Sequence, residues 1–198
     1  IINMNLIKKN IFIGIVFLLA QFPIAGMADY QDGRDAFDRG DYSAAVKEFE
    51  TLAKQNDPKG QYALAVMYDI GEGVSQNSKE AVKYYRLAGE QGFADAQNNL
   101  GVAYDQGEGV DTDYKEAMKW YLLAAKGRNK DAPNNIGVFY MIGLGVPRNF
   151  EKAHTWFTIA GAGDSEAIRN KDFVEKKLTS DQLAESKRQA EEWRKIWL

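Results

Sequence analysis

Few residues in this 198-residue chain have types and spacing that could do chemistry, and the first question is what chemistry they allow. There is one histidine, His154, and no cysteine. A single imidazole cannot build a two-histidine metal site, and without an activated nucleophile nearby it does not make a triad. At the position of Val46, Val82 and Met118, His154 is expected to pack half-buried. The missing cysteines remove disulfides, thiolate metal ligands and cysteine nucleophiles. The chain contains no Gly-x-Ser-x-Gly, His-Glu-x-x-His or Ser-x-x-Lys. What recurs instead is Gly71-Glu72-Gly73-Val74, again as Gly107-Glu108-Gly109-Val110 and as Gly143-Leu144-Gly145-Val146. A Gly-x-Gly can cradle phosphate when it follows a strand and ends in Lys-Ser/Thr; these follow helical patterns and lack that ending.

The glycines are 36 residues apart, and the register around them holds without a gap. Leu64, Leu100 and Ile136 share it, as do Tyr68, Tyr104 and Tyr140, then Tyr84, Trp120 and Trp156, and Ala88, Ala124 and Ala160. A period of this length marks stacked supersecondary units. Within each period two short segments carry apolar residues at i, i+4 and i+7 or i+8, the pattern of two amphipathic helices joined by the glycine loop. Neither helix can bury its apolar face alone, so the unit folds only against neighbours. Asn77, Asp113 and Asn149 stand where they can cap the second helices. Trp120 and Trp156 fall at helical spacing in the second helices and are expected in the core.

The run Ala96-x-x-x-Leu100-Gly101-x-x-Tyr104-x-x-Gly107-x-Gly109-Val110, followed by Ala117-x-x-Trp120-Tyr121-x-x-Ala124, resembles the Sel1-like repeat, a relative of the tetratricopeptide repeat. The resemblance implies an all-α, right-handed α/α solenoid acting as an adaptor or scaffold. Three repeats are expected at 57–92, 93–128 and 129–164. Their departures from one another are local: Ala65 for Gly101 and Gly137, Pro133 for Gln61 and Gln97, and Arg128 for Gly92. Residues 29–56 read as a shortened, tetratricopeptide-like capping hairpin, with Phe37, Gly40 and Asp41 matching Tyr68, Gly71 and Asn77. Residues 165–198 read as C-terminal capping helices, the last opened by Thr179-Ser180-Asp181-Gln182. Trp193, Ile196, Trp197 and Leu198 are expected to fold back over the third repeat or to form an exposed apolar patch.

Residues 1–28 read as a signal peptide. Lys8 and Lys9 precede an apolar run from Ile11 to Ala20, Gln21 and Pro23 break it, and Gly26 and Ala28 offer small residues before a cleavage site. Export to the periplasm or beyond is the resulting expectation, with no membrane attachment after cleavage. Without Lys8 and Lys9, 23 basic side chains remain against 28 acidic ones, and the formal charge falls from −3 to −5. Nucleic acid needs a basic stripe, which the interleaved charges do not offer, so none is expected as a partner, and nothing in the sequence calls for a cofactor.

On a helical wheel the first helix of each repeat packs through positions such as Ala96, Leu100 and Tyr104. The opposite arc holds Tyr62, Val66 and Asp69 in the first repeat, Asn98, Val102 and Asp105 in the second, and Asn134, Val138 and Met141 in the third. In solenoids of helical hairpins such a stripe lines the concave side. These nine residues form the candidate groove for a protein or peptide, with Asp69 and Asp105 placing two negative charges one repeat apart. The rival expectation is an exported hydrolase of the same family acting on cell wall or β-lactam, against which the absent cysteine pairs and Ser-x-x-Lys weigh.

Overall fold

The computed structural model describes residues 29–161 and 163–197; the proposed signal segment 1–28 and Leu198 lie outside them, as does the side chain of Trp197. The described residues form ten helices and no strand. A short hairpin of α1 (Tyr30–Asp38) and α2 (Tyr42–Lys54) opens the array. Three longer hairpins follow: α3 (Pro58–Ile70) with α4 (Ser78–Glu90), α5 (Ala94–Gln106) with α6 (Tyr114–Lys126), and α7 (Ala132–Ile142) with α8 (Phe150–Ala160). Helices α9 (Ser165–Glu175) and α10 (Ser180–Trp197) complete the chain. Each helix from α1 to α8 packs on the next, whereas α10 returns to α8.

The recurring residues explain themselves in this geometry. Gly71, Gly107 and Gly143 end the first helices in the left-handed region, at φ 77°, 73° and 93°, where a side chain would be strained. The N–H groups of Asn77, Asp113 and Asn149 then donate to the carbonyls of Tyr68, Tyr104 and Tyr140, which closes each loop. Their side chains accept from the N–H groups of Glu80, Glu116 and Lys152 and so cap the second helices. The second glycine of each loop has a different duty. A Cβ on Gly73, Gly109 or Gly145 would stand 2.5, 2.2 or 2.7 Å from the carbonyl oxygen of Tyr42, Ser78 or Tyr114, the first residue of the preceding second helix. These glycines let one repeat dock on the last.

The core runs along the array as four apolar clusters linked by the half-buried Tyr68, Tyr104 and Tyr140. Leu64, Leu100 and Ile136 are wholly buried, and Trp120 and Trp156 are each 5% exposed, as the wheel predicts. Gly101 and Gly137 lie against the rings of Tyr121 and Phe157, with no room for a Cβ. The turns between repeats place Asn56, Gly92 and Arg128 at φ 61°, 88° and 67°. Arg128 therefore keeps the glycine-type turn, at a conformational cost of about 1–2 kcal/mol. Asn129 supports it by accepting from the N–H groups of Asp131 and Ala132 and donating to Asp95.

The C-terminal segment follows other rules. Thr179 and Gln182 form a reciprocal capping box that starts α10. Trp193 sets its ring 4.8 Å from that of Trp156, so it folds back over the third repeat, while Ile196 is 72% exposed. Arg194 donates to the Thr158 carbonyl.

Candidate protein-binding groove

The structure divides the nine stripe residues into two groups. Tyr62 and Val66 are half-buried and line a pocket of about 230 Å³ with Tyr30, Phe37, Phe49 and Met67, and with Arg34 and Asp38 among its polar members. The Tyr62 ring is held 5.0 Å from Phe93 and 6.0 Å from Tyr85. Asp69 and Val102 belong to the next pocket, about 150 Å³, with Tyr85, Asn99, Ser78 and Glu108. There the Tyr85 hydroxyl donates to the Asp69 carboxylate at 3.2 Å. Burial pushes the hydroxyl of Tyr85 far above its ordinary pKa, with the charge of Asp69 adding to the effect, so it stays a donor. Asp105 is half-buried too, and desolvation raises its pKa. Val138 and Met141 rest partly covered on a cluster of Ala153, Phe157, Ala167 and Val174.

Asn98 and Asn134 do not belong to an open groove. Each is only 7% exposed. Asn98 accepts from Asn135 on the neighbouring first helix at 3.1 Å, so this position points into the seam between first helices. A wheel reports an angle about one helix axis and is blind to the neighbour a few ångströms away. Tyr85, Asn99 and Glu108, which the stripe omitted, belong to its acidic pocket because they come from the partner helix, the next first helix and the next loop.

His154 is likewise more buried than its expected half-buried role, at 1% exposure. Its Nδ1 lies 2.9 Å from Ser186 Oγ, and its Nε2 is 3.9 Å from Glu175. Serine, imidazole and carboxylate thus stand in the order of a hydrolytic triad, which the sequence could not show with 32 residues between His154 and Ser186. The geometry argues for a latch instead. Ser186 is wholly buried, and its hydroxyl also donates to the Leu183 carbonyl at 2.9 Å. With its one proton there, Nδ1–H is the donor and the ring presents no base to the serine. Burial lowers the His154 pKa, with Lys171 and Lys187 adding to that and Glu175 opposing it. Among the described residues no group of three or more acidic or histidine side chains is placed to hold a metal, and no helix is long and apolar enough to cross a membrane.

The fold has counterparts in known proteins. A crystal structure of a Sel1 repeat protein from Oxalobacter formigenes is similar at a TM-score of 0.63 and 31% identity, over 72% of this chain and 56% of that one. A crystal structure of c5321, a protective antigen present in uropathogenic Escherichia coli strains and displaying an SLR fold, is similar at 0.59 and 30% identity. That match covers 78% of this chain and 41% of the antigen, so the chain spans about half the length of these two relatives. No curated protein matches. The Sel1 repeat profile matches residues 58–93, 94–129 and 131–165, more than half of the sequence, and the chain belongs to the Sel1 repeat family.

Proposed function

We propose that this protein is an exported, non-enzymatic adaptor that holds an extended segment of a protein partner along the exposed part of the first-helix stripe. Sel1 repeats generally mediate protein–protein interaction. The observation that carries the reading is the adjacency of two unlike pockets on that stripe: an aromatic one at Tyr62 and Val66 and an acidic one at Asp69, Val102 and Glu108. An apolar side chain fits the first, and a Lys or Arg the second, where the carboxylates meet a cation beside a hydroxyl. Export rests on the pattern of residues 1–28 and predicts a mature chain starting at Asp29, which intact mass of an osmotic-shock fraction checks.

The groove is tested by Asp69→Asn with Asp105→Asn. Charge reversal at Asp69 would take the acceptor from Tyr85, whereas Asn keeps an oxygen for it. At Asp105 neutralisation relieves a desolvated carboxylate. The double variant is expected to melt within about 0.5 kcal/mol of the parent and to lose affinity for the native partner, with a flatter salt dependence. Unchanged capture would place binding elsewhere.

A further inference from the structure

Helix α9 carries a fourth rung of the stripe. Its register is fixed by burial: Ala167 and Val174 are both fully buried seven residues apart, as are Ala132 and Phe139 in α7, and Ala96 and Ala103 in α5, all at 6% exposure or less. Matched on those pairs, Phe173 takes the place of Val66, Val102 and Val138. Arg169 takes the place of Tyr62, Asn98 and Asn134, and Lys176 that of Asp69, Asp105 and Met141. Where α3, α5 and α7 present Leu64, Leu100 and Ile136 to a second helix, α9 has Lys171, and where they have Tyr68, Tyr104 and Tyr140 it has Glu175. That polar side takes no further hairpin, so the array ends here. Each stripe valine packs on the cluster its own repeat shares with the next element. Among the described residues no repeat follows Phe173, which is 52% exposed, with Lys177 5.6 Å from its ring centre.

The stripe is therefore electrically ordered. Asp69, with Glu108 in its pocket, and Asp105 one repeat further on make its first half acidic. The α7 rung of Asn134, Val138 and Met141 is uncharged. Arg169, Lys176 and Lys177, all exposed, outnumber the one exposed carboxylate among them, Asp172, and make the far end net basic. Building on the groove reading above, we propose that the stripe accepts one extended peptide segment of fixed charge order: cationic over α3 and α5, apolar over α7, and anionic over α9. The matching segment carries two Lys or Arg in succession, then an apolar stretch, then an Asp or Glu.

The test is selection of displayed random 16-residue peptides on the immobilised protein at low salt, followed by affinity measurements on two folded variants. One is Arg169→Glu with Lys176→Glu; the other is Asp69→Asn with Asp105→Asn. The proposal expects enriched peptides with the stated charge order. Exchange of the two basic residues should weaken them about tenfold, and neutralising the two aspartates should do so comparably. Peptides selected afresh on the first variant should carry a cation where the acid was. Enriched peptides that need the aspartates but bind the Arg169/Lys176 variant unchanged would overturn the fourth rung and leave the groove standing. Peptides indifferent to both pairs, or no enrichment at all, would overturn the groove with it. Concentration-dependent dimerisation abolished by Phe173→Glu would assign the exposed ring to a second copy of the chain and overturn the proposal.

Discussion

The three repeats and the C-terminal helices share one core but are held by different devices. Between repeats the apolar core is closed at the loops by Gly73, Gly109 and Gly145, which have no side chain and let backbone meet backbone. Between the third repeat and α10 the join is made of side chains: Trp193 on Trp156, Ser186 on His154, and Arg194 on the Thr158 carbonyl. A glycine contact is reproduced wherever the period recurs, while a polar and aromatic latch is made once. The repeats should therefore resist acid and local opening together, and α10 should be the part that can be released alone.

The sharpest way to break the repeat side is Gly109→Ala. It combines a left-handed φ of 72° with a Cβ 2.2 Å from the Ser78 carbonyl oxygen, and should cost about 3 kcal/mol or more. Gly92→Ala is the control, with φ 88° and nothing within 4 Å, and should cost only about 1 kcal/mol in chemical denaturation. Equal losses would mean that the close approach between repeats does not hold them together. On the other side of the comparison, Trp193→Ala removes a half-buried indole and should cost about 2 kcal/mol. Hydrogen exchange should show the loss confined to α10, with the protection of α3 to α6 unchanged. Uniform loss along the chain would merge the two regions into one cooperative unit.

A smaller effect is written in pH. Burial depresses the His154 pKa below its ordinary 6.5, so as pH falls the unfolded chain takes up the proton first. The stabilisation is whole above pH 6.5 and is lost as pH drops toward the depressed folded value, by at most about 1.4 kcal/mol per pH unit. Melting followed from pH 7 to 5.5 should show this slope in the parent. It should be absent in His154→Gln, which leaves Ser186 a hydrogen-bonding neighbour. A slope that persists in the variant belongs to other groups.

How much of this could be read in the sequence follows from how local each device is. The caps at Asn77, Asp113 and Asn149 and the left-handed turns at Gly71, Gly107 and Gly143 act within a few residues, and their spacing alone announces them. The second glycine of each loop recurs just as visibly, but its reason lies 31 residues upstream, at Tyr42, Ser78 and Tyr114. The burial of Asn98 and Asn134 depends on the distance between first helices, which no wheel contains. The His154–Ser186 contact joins two elements of different register, with nothing in either to announce the other. The fourth rung was hidden because the 36-residue period slips by one before α9, and only the burial of Ala167 and Val174 restores the match.

The central claim, that partners are held on the first-helix stripe, is tested most directly by placing a photo-crosslinking amino acid at Asp105 or at Leu123 in the producing cell. Asp105 is half-buried on that stripe, while Leu123 is 37% exposed on the second helix of the same repeat. Leu123 is the more exposed of the two, so it controls for adducts that follow exposure alone. A partner adduct from Asp105 and none from Leu123 is the predicted result, and an adduct from Leu123 with none from Asp105 would contradict it.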